Sequence, residues 1–94
     1  MALMTVIAYD VREDSRRSKL AALLQMHGDR IQFSVFLCRV DAEDLGQLLA
    51  QARSLIDPRT DSIYALRQCE ECWQKVTTIG QARPPQPRLY WAVL

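Results

Sequence analysis

Asp10 is the residue best placed to do chemistry. It follows Met4-Thr5-Val6-Ile7-Ala8-Tyr9, a nearly continuous apolar run of the kind that forms a central strand covered on both faces. A carboxylate directly after such a strand stands where the sheet opens to solvent, a common position for sites in α/β folds. The same placement also suits an ordinary turn or cap residue. Mg²⁺ keeps several of its waters and is often held by only one or two carboxylates. A two-fold dimer that presents two copies of Asp10 to each other would meet that need. Arg12, Arg16, Arg17 and Lys19 follow closely, interspersed with Glu13 and Asp14. Beside a metal-binding carboxylate these cations would hold phosphate; without one they read as a solvated helix face. Arg30 and Arg39 bracket the second strand-like segment and extend the basic patch if their side chains face it.

Other reactive side chains give weaker patterns. Cys69-Glu70-Glu71-Cys72 is a C-x-x-C, which supplies two of the four ligands of a structural zinc. Cys38 and His27 complete a set only if the fold gathers them. A thioredoxin-like pair would follow a first strand at a helix start. This pair lies late in the chain beside two acids expected to raise a thiolate pKa, so packing is the expected role and stoichiometric zinc is not. His27 is the only histidine and precedes Gly28, which fits helix-end capping better than catalysis. A Ser or Cys triad therefore has little support. The three glycines are too far apart for a phosphate-cradling loop.

Positioning these residues requires a small set of elements. Asp14 or Ser15 is expected to cap a helix whose Leu20, Leu23 and Leu24 share a face, with Gly28 as the residue that ends it. Arg30 to Val40 alternates as one strand, with Ile31, Phe33, Val35 and Leu37 toward the core. The other face, Arg30, Gln32, Ser34, Phe36 and Cys38, is polar except for Phe36 and Cys38, so the aromatic suggests a partner surface or packing under a loop. A second helix begins at Asp41 and carries the stripe Leu45, Leu48, Leu49, Ala52, Leu55 and Ile56. Asp57-Pro58 stops it. Asp61 to Arg67 reads as the next strand, Cys69 to Lys75 as a helical turn, and Val76 to Ile79 as a last strand closed by Gly80.

The chain is 94 residues with 49% apolar and 24% charged residues, enough for one domain with a small core. The organisation expected is a domain over 1–80 and a proline-rich arm over 81–94. In that arm Gln81-Ala82-Arg83-Pro84-Pro85-Gln86-Pro87 favours polyproline geometry, and Arg88 to Leu94 is strand-like. The arm docks either on a second subunit or as an edge strand on its own sheet. Twelve basic against eleven acidic residues excludes a polycation, so nucleic-acid binding would come from a local patch. No apolar run reaches the ~20 residues of a membrane span. An odd cysteine count and an apolar start without a basic n-region point to a cytoplasmic protein with reduced thiols.

Three strings together resemble a known family. They are Ile7-Ala8-Tyr9-Asp10-Val11, then Asp14-x-Arg16-Arg17-x-Lys19-Leu20, then Gly28-Asp29-Arg30-Ile31-Gln32-Phe33-Ser34-Val35-Phe36-x-Cys38. Asp57-Pro58-x-x-Asp61-Ser62 and the later C-x-x-C fit the same pattern. The sequence resembles the small CRISPR-associated endonuclease, second core protein of spacer acquisition, from residue 4 to about residue 80. The resemblance implies an α+β, ferredoxin-like βαββαβ fold with an antiparallel sheet, an extra C-terminal strand and a symmetric homodimer. It implies that Asp10 binds Mg²⁺ and is catalytic, that Arg17, Lys19 and Arg30 match the family's cations, and that Ser34 and Phe36 support the dimer cleft. Arg12 and Arg16 are added to the nucleic-acid-binding set from their position in the basic window. The implied partners are a second copy of the chain, the CRISPR integrase, and DNA or RNA. The implied activity is metal-dependent phosphodiester hydrolysis; the alternatives are a DNA-binding scaffold without catalysis and a toxin-type ribonuclease of similar fold.

Overall fold

The computed structural model describes residues 3–80. The expected arm over 81–94, with its extra strand, lies outside the described residues. In chain order the elements are β1 (Leu3–Asp10), α1 (Asp14–Gln25), β2 (Gly28–Gln32), β3 (Val35–Val40), α2 (Ala42–Leu55), β4 (Ser62–Gln68) and α3 (Glu70–Gln74). The first six make the βαββαβ order. The sheet is antiparallel in the order β2-β3-β1-β4, with β1 in the interior as its apolar run predicts.

Tyr9, Ile7 and Thr5 of β1 share one face with Phe36 and Cys38 of β3, since Ile7 pairs with Phe36 and Thr5 with Cys38. Leu20 and Leu24 of α1 and Leu48 and Ala52 of α2 close on that face and complete the buried core. The opposite face is more open: Met4, Val6 and Ala8 are half-buried and Tyr64 and Leu66 of β4 are exposed. Among the described residues, β1 is therefore packed by helices on one face, where both had been expected to be covered.

Three local expectations are corrected. Residues 30 to 40 do not form one strand; Phe33 and Ser34 make a turn that folds them into the β2–β3 hairpin. An irregularity between Arg30 and Gln32 shifts the register further, so the alternation that assigned Phe33 to the core fails. Phe33 is 74% exposed, while Phe36 and Cys38 lie in the core. Val76 to Ile79 forms no strand, and Ile79 is 87% exposed. Finally, α1 is preceded by Glu13, which makes no side-chain cap, and ends before Gly28.

Gly28 instead opens β2, where a Cβ would lie 2.2 Å from the Leu37 carbonyl oxygen. Its small size permits a close backbone approach, and it has no role in terminating the helix. The second helix behaves as its sequence predicts: the Asp41 side chain accepts the Asp44 N–H at 2.7 Å, and Leu45, Leu48 and Ala52 are buried.

Candidate functional site

Asp10 ends β1, opposite Ser62 of β4. Its side chain is exposed, and among the described residues it makes no ion pair or side-chain hydrogen bond. The β2–β3 turn stands at the same end of the sheet, because the Ser34 carbonyl accepts the Tyr9 N–H at 3.0 Å. Ser34 thus acts through its backbone, holding the hairpin beside the residue that precedes Asp10.

The cations divide by what holds them. Arg30 is exposed, and its guanidinium carbon lies 5.1 Å from the centroid of the Phe36 ring. Phe36 itself is fully buried and stacks with Tyr9 at 6.3 Å between centroids. Phe36, which the resemblance assigns to support of a dimer cleft, is a core residue of its own protomer in contact with Tyr9 and Arg30. Arg17 is half-buried and paired with Asp14, and its Nε donates to the Val11 carbonyl at 3.4 Å. Arg17, Asp14, Arg30, Tyr9, Ser18 and Phe33 line a depression of about 380 Å³. Lys19 and Arg12 are exposed, and their side chains enter no ion pair among the described residues.

Arg16, expected in the phosphate-binding set, is directed inward. Its Nε donates to Asp61 Oδ2 at 2.9 Å and its Nη1 to Glu13 Oε2 at 3.1 Å. Asp61 is the residue that sequence reasoning missed; it had been read as the first residue of a strand. Its carboxylate is wholly buried and also accepts the Arg12 N–H at 3.1 Å, the Asp57 N–H at 2.9 Å and the Thr60 hydroxyl at 3.1 Å. Hydrogen bonding from Arg16, reinforced by the two backbone amides and Thr60, outweighs desolvation and holds this carboxyl well below the usual carboxylate range. The same bond raises the Arg16 guanidinium. Asp61 therefore ties the chain just after Asp10 to the loop that precedes β4. The sequence signal for it is an acid three residues after Pro58 in a chain whose first helix carries two arginines, Arg16 and Arg17, in its first turn.

His27 is half-buried and its backbone N–H caps Leu24 at 3.0 Å, as a helix-end residue should. Among the described residues no three His, Cys, Asp or Glu side chains gather into a metal-binding group. Asp10 supplies one carboxylate with hard oxygens, the kind of ligand taken by a cation that keeps most of its waters. No helix among the described residues is long and apolar enough to cross a membrane.

The fold is that of a ferredoxin-like α+β domain, with an exposed carboxylate, unpaired among the described residues, at the end of β1. The chain belongs to the CRISPR associated protein Cas2 family, whose model matches residues 1–76. It is 38% identical over 80 residues to a CRISPR-associated endoribonuclease Cas2 of Chloroflexus aurantiacus, covering 85% of this chain and 86% of that one. Among solved structures it is similar to the hypothetical protein TT1823 from Thermus thermophilus, with TM-score 0.81, 34% identity, and 92% and 100% of the two chains covered. It is also similar to a chain of a partial Cas6-RT-Cas1–Cas2 complex, with TM-score 0.71, 25% identity, and 93% and 98% covered.

Proposed function

We propose that this chain is the dimeric nucleic-acid-binding subunit of a spacer-acquisition complex and a metal-dependent endonuclease acting on RNA or DNA. The observation that carries the reading is Asp10: an exposed carboxylate at a strand end, unpaired among the described residues. Arg30 and Arg17, together with Asp14, line a depression beside Tyr9, the residue before Asp10. The name of the Chloroflexus relative, an endoribonuclease, supports the activity. The similarity to a chain of a complex containing Cas1 and Cas2 supports an integrase partner.

In this reading Asp10 and its two-fold copy would hold Mg²⁺, which would supply polarisation of a phosphate oxygen and activation of water. Arg30, fixed over Phe36, and Arg17, fixed by Asp14 and the Val11 carbonyl, orient the phosphodiester. Arg12 and Lys19 extend the contact along the backbone as mobile charges. Asp61 and Arg16 act indirectly by holding the loop that carries Arg12. Asp10→Asn is nearly isosteric and should abolish Mg²⁺-dependent cleavage while leaving the oligomeric state unchanged. Unaltered cleavage by this variant removes Asp10 from the mechanism.

The single carboxylate per chain favours a second reading, a subunit that grips nucleic acid while the integrase does the chemistry. Spacer integration that survives Asp10→Asn in a reconstituted complex selects it.

A further inference from the structure

Cys69 and Cys72 lie at the other end of β4 from Asp10. β4 runs from Ser62, which pairs with Asp10, to Gln68, which pairs with Met4, and Cys69 follows directly. Both thiols are exposed, and their sulfurs are 2.7 Å apart. That is well inside ordinary sulfur contact and little more than half an ångström beyond the ~2.05 Å of a disulfide bond. Cys69 is extended (φ −78°, ψ 155°) and caps α3, in whose short helical turn Cys72 stands. The Cys72 N–H donates to Cys69 Sγ at 3.1 Å. Of the two acids between the thiols, Glu71 is paired with Lys75 at 3.2 Å.

We infer that Cys69 and Cys72 form a redox-active dithiol site whose substrate is a low-molecular-weight disulfide of the glutathione class. The roles of the two thiols follow from their hydrogen bonds. Cys69 caps α3 and its sulfur accepts the Cys72 N–H, which favours its thiolate; the contact between the two sulfurs lowers the Cys69 thiol and raises that of Cys72. Cys69 is therefore the attacking thiolate and Cys72 the resolving thiol. The Cys69 thiolate attacks one sulfur of oxidised glutathione, breaking its S–S bond, forming a mixed disulfide and expelling one glutathione thiolate, which takes up a proton. Cys72 then gives up its proton and attacks Cys69 Sγ, expelling the second glutathione. The protein dithiol loses two electrons and two protons, and the oxidant gains them as two thiols. Cys38 takes no part: burial, reinforced by the charge of Asp29, pushes its thiol up to about 11. Being exposed, the resulting disulfide belongs to the labile class that reducing buffers reopen. It would fasten the end of β4 to α3 without touching the Asp10 end of the sheet.

The test uses the full chain in glutathione buffers of graded ratio, quenched in acid and mapped by mass spectrometry after alkylation. The expected result is loss of two hydrogens with a Cys69–Cys72 cross-link, reversal on adding reduced glutathione, and Cys38 alkylated only after denaturation. Cys72→Ser should trap glutathione on Cys69. At neutral pH the Cys72→Ser protein should be alkylated by iodoacetamide at least about fivefold faster than Cys69→Ser. Equal alkylation rates would overturn the assignment of roles. Cross-links between chains in place of the internal one would overturn the site, as would stoichiometric zinc retained through dialysis. Both substitutions fall on exposed side chains, so circular dichroism should report an unchanged fold.

Discussion

Arg16 and Lys19 are three residues apart on α1, yet the structure gives them opposite electrostatic roles, and a salt titration separates them. The Arg16 charge is already matched by the buried Asp61 carboxylate and by Glu13, so it has little left to neutralise on a phosphate. Lys19 is exposed and enters no ion pair among the described residues. In a dimer Lys19→Ala removes two cations. At ~0.9 per phosphate neutralised, the slope of log K against log salt for duplex DNA should become shallower by about 1.8. Between 50 and 200 mM salt the variant should therefore lose roughly twelvefold less affinity than the parent. Arg16→Ala should change the slope by less than ~0.5. It should instead lower the melting temperature, because it leaves a buried carboxylate without its charged partner. Fluorescence anisotropy at several salt concentrations, with a thermal melt of each protein, gives both quantities. If Arg16→Ala flattens the slope as much as Lys19→Ala and leaves the melt unchanged, the inward assignment of Arg16 is refuted.

The Asp61 carboxyl is held low in the folded chain, so its contribution to stability is complete above the unfolded carboxylate pKa of ~3.9 and is lost as pH falls below that. The melting-temperature gap between the parent and Asp61→Asn should accordingly be widest near neutral pH and shrink steadily from about pH 4 downward; a gap constant with pH contradicts this. Gly28→Ala places a Cβ against the Leu37 carbonyl, and the strain of such overpacking, roughly 1–3 kcal/mol, should lower the melting temperature by at least ~5 °C. Thr5→Val should be neutral or stabilising by up to about 1 kcal/mol in chemical denaturation, because the buried Thr5 hydroxyl has no partner among the described residues.

What the sequence determined were the features that depend on short range and periodicity. The apolar run ending at Asp10, the helix stripe from Leu45 to Ala52 with its Asp41 cap, and the stop at Asp57-Pro58 all stand in the structure where local rules put them. The place of Asp10 at the exposed end of β1 was legible for the same reason, since a residue directly after an apolar strand has its position fixed by the strand alone. The hairpin was not legible: a two-residue turn at Phe33-Ser34 keeps the alternation of side chains intact on paper while reversing the chain, so Phe33 and Phe36 exchanged their expected environments. Charge gave still less information. Arg12, Arg16, Arg17 and Lys19 are equivalent cations in the sequence, and only the loop from Asp57 to Asp61, 45 residues beyond Arg16, separates them by drawing one guanidinium onto a buried carboxylate. The thiols follow the same logic. Adjacent acids predict a raised pKa for both, whereas the hydrogen bonds formed where Cys69 caps α3 lower one and raise the other. Backbone preference is a property of neighbours in sequence, but the partner of a charge or a thiol is chosen by the fold.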